Sequence, residues 1–264
     1  MEISRLVVKV GTSTLAHTNG SVNLRNMDRL ARVLSDLHGR GWQIILVSSG
    51  AIGAGVGRLG LAQRPEQLRM KQAAAAVGQC ALMHLYDKFF QEYGPTVAQI
   101  LLTDEDVDHP LRAEHLRNTF SALLELGVIP IVNENDSVSS AEIETGRCKV
   151  LGDNDTLSAI VARLVDADLL VLLSDIDGLY DADPRKDPNA RLIHRVTAVT
   201  EQLRSSAGGA GTSRGTGGMQ TKLNAAELAL DAGIDMVITN GAHPEQLYDI
   251  VEGKDVGTRF SAKP

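Results

Sequence analysis

Short β-branched runs alternate with longer stretches of helical spacing along this chain. Residues 6–10 form an apolar run that predicts a buried strand, broken only by Lys9. Residues 23–37 then carry leucine, methionine and valine at intervals of three and four, which predicts a helix that ends at Gly39 and Gly41. The same reasoning predicts strands at 42–47, 96–102, 128–132, 168–173, around Leu192 and at 236–239. It predicts helices at 65–93, with Pro65 in the first helical position, and at 111–126, 154–165, 198–204, 219–232 and 244–251.

This alternation predicts an α/β fold with a mostly parallel central sheet and helices on both faces. A length of 264 residues fits one large domain better than two independent ones. Two segments stand apart from the pattern. Residues 141–150 have no helical period and are expected to form a hairpin or flap that turns at Gly146 and Arg147. Residues 205–218 contain six glycines and are expected to be a functional loop, a lid that admits a ligand, rather than a domain linker.

Composition excludes several classes of protein. With 3% aromatic residues and a formal charge of -7, the chain lacks the stacking surfaces and basic face of a nucleic-acid binder. The seven histidines are scattered, and the two cysteines, Cys80 and Cys148, lie far apart, so we expect no zinc or redox site and inert thiols. We also expect no signal peptide and no membrane span, and therefore a soluble cytoplasmic protein.

Polar clusters follow the predicted strands at Lys9–Gly11, Ser48–Gly50, Asn133–Asp136 and Ser174–Asp175, while Asp155 and Lys222 begin predicted helices. In open α/β sheets, ligands bind in the crevice at the carboxyl ends of the strands. The small residues 48–55 are read as a turn whose amides face an anion. These clusters are therefore predicted to meet in one site.

The stretch G-T-G-G-M-Q-T-K at 215–222 is predicted to cradle a phosphate. Glycine lets successive backbone N–H groups face an anion, the following helix N-terminus adds partial positive charge, and Lys222 adds a full charge. A P-loop needs glycine directly before Lys-Ser/Thr, whereas here Thr221 precedes Lys222 and Leu223 follows it. The alternative for this stretch alone is a glycine-rich loop with a surface lysine.

Five motifs resemble, in order and spacing, the amino-acid kinase family: V-V-K-V-G-T-S at 7–13, V-S-S-G-A-I at 47–52, N-E-N-D-S-V at 133–138, G-D-N-D-T-L-S-A at 152–159, and the glycine-rich stretch at 215–222. The resemblance covers nearly the whole chain and implies an αβα sandwich. Residues 1–165 would form its substrate side and residues 166–264 its nucleotide side. It further implies transfer of the ATP γ-phosphoryl group to the side-chain carboxylate of L-glutamate, the first step of proline biosynthesis, with Mg²⁺ on the nucleotide phosphates.

The resemblance also implies residue roles. Lys9 and Lys222 would neutralise the transferring phosphoryl group, and Asp155 would orient both lysines. The glutamate-binding positions would be Ser49, Gly50, Asp136 and Asn154. The ATP-binding positions would be Lys9, Gly11, Ser174, Asp175, Thr216, Gly217, Gly218, Met219, Gln220, Thr221 and Lys222. The resemblance implies no protein ligand for the metal ion.

Each role has a simpler alternative. Asp155 can merely complement a helix dipole, Asp136 can close an Asx turn, and Lys9 can extend to solvent from a strand end. Other acceptors also remain open: N-acetylglutamate, aspartate, carbamate or a nucleoside monophosphate. Two further alternatives are open. One is a non-catalytic amino-acid or nucleotide sensor, although a sensor has no reason to keep both lysines and Asp155. The other is a nucleic-acid-binding regulator, which the acidic charge disfavours.

Two departures from the family pattern bear on these expectations. Residues 143–151 form a longer segment than the family leads us to expect, which leaves the shape of the substrate-side flap open. The sequence stops at Pro264, so the additional C-terminal domain that many members carry, similar to one in RNA-modifying enzymes, is expected to be absent. The resemblance also implies feedback inhibition by proline and a homo-oligomer, with no nucleic-acid or membrane partner.

Overall fold

The apolar runs of the sequence form one central sheet in the computed structural model, which describes residues 4–17, 21–138, 153–184, 187–206 and 218–261. The strands are β1 (Arg5–Val10), β2 (Gln43–Ser48), β3 (Val97–Leu102), β4 (Ile129–Glu134), β5 (Leu169–Ser174), β6 (Arg195–Val196), β7 (Asp235–Asn240) and β8 (Thr258–Phe260). The helices are α1 (Thr12–Leu15), α2 (Leu24–Gly39), α3 (Ala51–Arg58), α4 (Leu68–Tyr93), α5 (Asp104–Asp108), α6 (Pro110–Glu125), α7 (Asn154–Leu164), α8 (Glu201–Ser206), α9 (Met219–Asp231) and α10 (Gln246–Val251).

Within the described residues, the sheet has eight strands in the order β3-β4-β2-β1-β5-β7-β8-β6. Every neighbouring pair is parallel except β7 and β8, which are antiparallel. The central strand β1 holds Lys9 in register with Val47 of β2 and Leu172 of β5. Since these strands run in the same direction, the loops that follow all three emerge at one edge of the sheet.

Helices cover both faces of the sheet, and each face has its own apolar core. Side chains of α6, α7 and α9 pack on one face, together with Val7 of β1. Side chains of α2, α4 and α10 pack on the other face, together with Leu6 and Val8. Successive strand residues point to opposite faces, so Lys9 points to the same face as Val7. This is the face that carries α7 and α9.

The helices α3 and α4 cross unusually closely because glycines lie at the contact. A Cβ at Gly55 would lie 1.8 Å from the backbone oxygen of Ala74, and a Cβ at Gly78 would lie 1.8 Å from that of Ala51. Residues 48–55 are therefore not the turn that their glycines predicted. Only Ser49 and Gly50 precede the helix, and Gly50 has a left-handed φ of 96°.

The structure confirms the predicted fold class: a mostly parallel sheet with helices on both faces. Besides the turn at 48–55, two local predictions are wrong. Pro65 is not in a first helical position, because α4 begins at Leu68 after the N-cap Gln67. Leu192 does not centre a strand; it forms an isolated bridge with Tyr180, and the nearby strand β6 is Arg195–Val196.

Besides α3, three described elements were not predicted. They are α1, the strand β8, which lies between β7 and β6, and the short helix α5, whose capping box joins Thr103 and Asp106. The predicted flap at 141–150 lies outside the described residues, as does most of the glycine-rich loop at 205–218. Among the helices that are described, none combines the length and apolar character needed to cross a membrane.

Candidate active site

Asp155 joins two lysines that come from distant parts of the chain. Its Oδ1 lies 2.7 Å from Nζ of Lys9, and its Oδ2 lies 3.0 Å from Nζ of Lys222. All three residues are buried, with exposed fractions of 8% for Lys9, 6% for Lys222 and 1% for Asp155. Three charged groups withdrawn from water carry one net positive charge between them. Such a group is suited to an incoming anion, whose charge would complete its neutralisation.

Three elements bring these side chains together. Lys9 projects from the central strand β1, Asp155 lies in the first turn of α7, and Lys222 lies in the first turn of α9. Both helices pack on the face of the sheet to which Lys9 points. The two helix N-termini add partial positive charge beside the lysines.

The lysines also control the ionisation of Asp155. Burial alone would raise the pKa of this carboxyl group, because charge is unfavourable away from water. The charges of Lys9 and Lys222 and their hydrogen bonds outweigh burial and lower the pKa from 3.8 to about 2. Asp155 is therefore ionised throughout the physiological pH range.

Neighbouring side chains fix the carboxylate in place. Asp153 caps α7, since its Oδ1 accepts hydrogen bonds from the backbone N–H of Asp155 (2.7 Å) and of Thr156 (3.0 Å). The hydroxyl of Thr221 lies 2.9 Å from Oδ2 of Asp155 and 2.8 Å from the carbonyl oxygen of Gly218. The start of α9 is thus held to the start of α7 by Thr221 as well as by Lys222.

Asn154 organises the polar groups beside the carboxylate. Its Nδ2 lies 2.7 Å from Oγ of Ser49, 3.2 Å from the carbonyl oxygen of Ser48, and 3.3 Å from Oδ1 of Asn133. Asn133 in turn donates from Nδ2 to Oε1 of Gln79 at 2.9 Å. These contacts connect α7 with the loops that follow β2 and β4.

The lysines, Asp155, Ser49 and Asn154 line a small, partly open cleft at the carboxyl ends of β1 and β5. Gly11, Ser174 and Asp175, which were predicted to bind nucleotide, line the same cleft. A Cβ at Gly11 would lie 3.6 Å from Nζ of Lys9. A larger residue at this position would therefore occupy the space in front of the Lys9 ammonium group.

Other predicted site residues lie elsewhere. Asp136 lines a neighbouring cleft between α4 and β3, together with Gln79. Met219 packs partly against the core, and the exposed Gln220 donates to Asn224 at 3.3 Å on its own helix. Gly218 is the N-cap of α9, and Gly50 that of α3. Thr216 and Gly217 lie outside the described residues.

Sequence reasoning missed three polar residues that line the main cleft: Thr12, Ser13 and Asp153. Thr12 and Ser13 follow Gly11 directly, so the polar turn after β1 carried a signal that could have found them. For Asp153 the signal was ambiguous, because either aspartate of G-D-N-D can cap a helix. In the structure Asp153 is the cap, and this leaves Asp155 available to the lysines.

Among the described residues, no three histidine, cysteine or acidic side chains converge to hold a metal ion. Two lysines beside backbone N–H groups are instead an anion site, and the space in front of Gly11 suits phosphate oxygens.

Comparison with known proteins agrees with this chemistry. The family model described as the amino acid kinase family matches residues 4–240. The glutamate 5-kinase of Clostridium perfringens is 55% identical over 259 residues, which cover 98% of this chain and 96% of that protein. The glutamate 5-kinase of Listeria innocua is 52% identical over 259 residues, which cover 98% of this chain and 93% of that protein.

Solved structures share the fold. A carbamate kinase from Giardia lamblia bound to AMP-PNP superposes with a TM-score of 0.69 at 16% identity, covering 98% of this chain and 99% of its own. A UMP kinase from Ureaplasma parvum gives a TM-score of 0.65 at 15% identity, with coverage of 99% and 100%. At this identity the likeness concerns the fold alone.

Proposed function

The chain belongs to the amino acid kinase family, and we propose that it is a glutamate 5-kinase. It transfers the γ-phosphoryl group of ATP to the side-chain carboxylate of L-glutamate and so opens proline biosynthesis. The observation that carries the proposal is the buried Asp155 between Lys9 and Lys222, in a chain 55% identical to a glutamate 5-kinase over nearly its full length.

In the proposed reaction, an oxygen of the glutamate γ-carboxylate attacks the γ-phosphorus of ATP. The bond from that phosphorus to the β–γ bridging oxygen breaks, and ADP leaves with the electron pair. The products are L-glutamyl 5-phosphate and ADP. A carboxylate is already ionised at neutral pH, so the step needs no general base. The site accordingly contains no histidine among its described lining residues.

Bringing two anions into line is the main difficulty of this reaction, and cationic groups in fixed positions are the remedy. We assign Lys9 and Lys222 to the transferring phosphoryl oxygens. A lysine about 4 Å from a phosphate oxygen contributes on the order of 4 kcal/mol at an effective dielectric near 20. Asp155 keeps the two ammonium groups in place, so little reorganisation is needed when charge develops.

We assign the glutamate substrate to the polar groups around Ser49, Gly50 and Asn154, and its α-ammonium group to Asp136. Ser49 and Asn154 line the main cleft, and Gly50 follows Ser49 as the N-cap of α3. Asp136 lines the neighbouring cleft together with Gln79, which accepts a hydrogen bond from Asn133; Asn133 in turn contacts Asn154. This division leaves Gly11, Ser174 and Asp175 for the nucleotide.

Mg²⁺ would neutralise charge on the nucleotide phosphates. Because the described residues supply no metal cluster of their own, we assign it to the phosphates rather than to a protein site. We further propose, from the family resemblance, that proline inhibits the enzyme and that the enzyme acts as a cytoplasmic homo-oligomer.

The decisive experiment supplies the protein with ATP, Mg²⁺, L-glutamate and hydroxylamine, which traps an acyl phosphate as a hydroxamate. We expect a hydroxamate that depends on ATP, Mg²⁺ and L-glutamate and whose amount equals that of the ADP released. Aspartate, N-acetylglutamate, carbamate and UMP serve as competing acceptors, with ADP release as the common readout. Faster ADP release with one of these acceptors, and no hydroxamate from L-glutamate, would overturn the proposal.

A further inference from the structure

Asn26 is a buried polar residue of α2, on the opposite face of the sheet from Lys222, and the mechanism above does not use it. It is 6% exposed. Its Nδ2 donates to the carbonyl oxygen of Thr14 at 3.1 Å and to that of Gly241 at 3.0 Å. A side-chain amide has two N–H donors, and here both bind backbone carbonyls of different loops.

Both of these loops adjoin residues that we assign to the nucleotide, Gly11 and Ser174. Thr14 lies in α1, directly after Gly11, and Gly241 directly follows β7. The N–H of Gly241 donates to the carbonyl oxygen of Ser174 at 2.7 Å, and that of Gly11 approaches the carbonyl oxygen of Leu173 at 3.4 Å. Asn26 therefore links the loops that follow β1, β5 and β7.

The junction between the two loops is closely packed. A Cβ at Gly241 would lie 2.6 Å from Oγ1 and 2.8 Å from Cγ2 of Thr14. One turn further along α2, Arg29 donates from Nη1 to the carbonyl oxygen of Ala242 at 3.0 Å and from Nε to Glu245 at 2.8 Å. The helix thus holds the loop after β7 at two successive turns.

We propose that Asn26 is a positioning residue that sets the spacing of the nucleotide-binding loops. It acts through the backbone carbonyl groups of Thr14 and Gly241. The groups assigned to glutamate lie on the other side of the cleft, on the loop after β2 and on α7, whereas Nδ2 of Asn26 donates to Thr14 and Gly241. Its loss therefore weakens ATP binding selectively. The identification of the ligand as ATP rests on the proposed function.

The test measures the KM of both substrates in Asn26→Ala and Asn26→Asp. Alanine removes both donors, and aspartate keeps the shape while turning oxygen atoms toward the two carbonyls. We expect the KM for ATP to rise about tenfold, since buried carbonyls lose their donors and the loops shift to find others. The KM for glutamate stays within about twofold of wild type, because the glutamate side keeps its contacts.

Asn23→Ala is the matched control. Asn23 caps the same helix by accepting from the backbone N–H of Asn26 at 3.1 Å. Its loss destabilises α2 but leaves the side-chain amide of Asn26 in place, so the KM for ATP is expected to stay unchanged. An unchanged KM for ATP in both Asn26 variants overturns the inference, as does a parallel rise of both KM values that Asn23→Ala reproduces.

Gly241→Ala tests the same junction from its other side, because its Cβ forces the loop away from Thr14. We expect the same selective rise in the KM for ATP, and a wild-type value counts against the inference.

Calorimetric titration with ATP in the absence of glutamate separates this inference from the proposed function. Wild-type protein that binds ATP but does not phosphorylate glutamate overturns the function alone, and weaker ATP binding by the Asn26 variants still supports the positioning role.

Discussion

At the scale of single residues, Asp155 shows how burial strengthens an ion pair between lysine and a carboxylate. An exposed lysine–carboxylate pair contributes little, because water and salt screen it. Asp155 is 1% exposed, so its attraction to Lys9 and Lys222 is poorly screened and both ammonium groups are held within 3.0 Å. The simpler view of Asp155 as a helix-dipole acid does not explain why two lysines bind it.

Replacing Lys222 tests the phosphoryl role. We expect Lys222→Ala to lower kcat by about 10²-fold or more, because a charge placed for the transition state is lost. Asp155 keeps its ion pair with Lys9, so the fold survives. Lys222→Met retains most of the side-chain stem and is expected to behave in the same way. Steady-state kinetics at saturating substrates measure the effect.

Lys254→Ala is the control for this prediction. Lys254 is an exposed lysine with ion pairs to Asp249 and Glu252 at 2.6 and 2.8 Å. Its loss is expected to leave kcat unchanged, because the residue is exposed and does not line the cleft. A kcat near that of wild type in both Lys222 variants would remove Lys222 from the chemistry.

Asn154 provides the corresponding test on the glutamate side. Asn154→Ala removes the donor to Ser49 at 2.7 Å and the contact with Asn133 at 3.3 Å. We expect the KM for glutamate to rise about tenfold or more, with the KM for ATP nearly unchanged. The exposed Asn189→Ala is the control and is expected to change neither value. A selective rise in the KM for ATP would show that Asn154 serves the nucleotide instead.

At the scale of elements, the crossing of α3 and α4 positions the loop that carries Ser49. Gly55 and Gly78 let the two helices approach until a backbone oxygen occupies the place of each missing Cβ. Because α3 starts directly after Gly50, its position determines where Ser49 enters the cleft. The glycines near residue 55 thus serve helix packing rather than a phosphate turn.

Gly55→Ala and Gly78→Ala are both expected to lower the free energy of unfolding by about 1–3 kcal/mol or more, since a methyl group must displace helix backbone. The KM for glutamate rises as α3 shifts. Gly39→Ala is the matched control, because a Cβ there meets nothing within 4 Å. Urea unfolding compares the three variants, and equal stability of all of them would contradict the close crossing.

The same elements explain what the sequence could and could not predict. The strands β1 and β5 are recognisable because their apolar runs are buried on both faces, a property visible in the residues themselves. The helix α3 is not, because glycine costs about 1 kcal/mol in a helix and only the packing against α4 offsets this. The three-residue strand β8 exists through its pairing with β7 and β6, and such long-range pairing is not visible in any local sequence pattern.

The residues of the site also differ in how far the sequence could predict them. Lys9, Asp155 and Lys222 were predictable because a lysine within an apolar strand, or a charged residue at the start of a helix, is visible in sequence. The contacts of Asn26 were not predictable, because in the sequence an asparagine inside an amphipathic helix looks like any other polar position. Which of Asp153 and Asp155 caps α7 also depended on where the two lysines lie in three dimensions.

At the scale of the whole molecule, the site exists only when the sheet is assembled. Lys9 lies on the central strand, while Asp155 and Lys222 lie 67 residues apart on two helices that pack on the same face. The order of the strands places β1 between β2 and β5, so the predicted substrate side and nucleotide side meet at Lys9. Global stability and the ionisation of the site are therefore coupled.

This coupling predicts how stability depends on pH. The folded protein lowers the pKa of Asp155 from 3.8 to about 2, so ionised Asp155 favours the folded state. The contribution is complete above the unfolded pKa and is lost as pH falls from about 4 to about 2. We expect the stability advantage of wild type over Asp155→Asn to be on the order of 2 kcal/mol larger at pH 6 than at pH 2. Urea unfolding across this pH range measures the difference in stability.

Asp255→Asn is the control. It removes an exposed ion pair with Arg195, so its stability should differ little from that of wild type at every pH. An advantage over Asp155→Asn that stays constant with pH would show that the two lysines do not stabilise the ionised carboxylate.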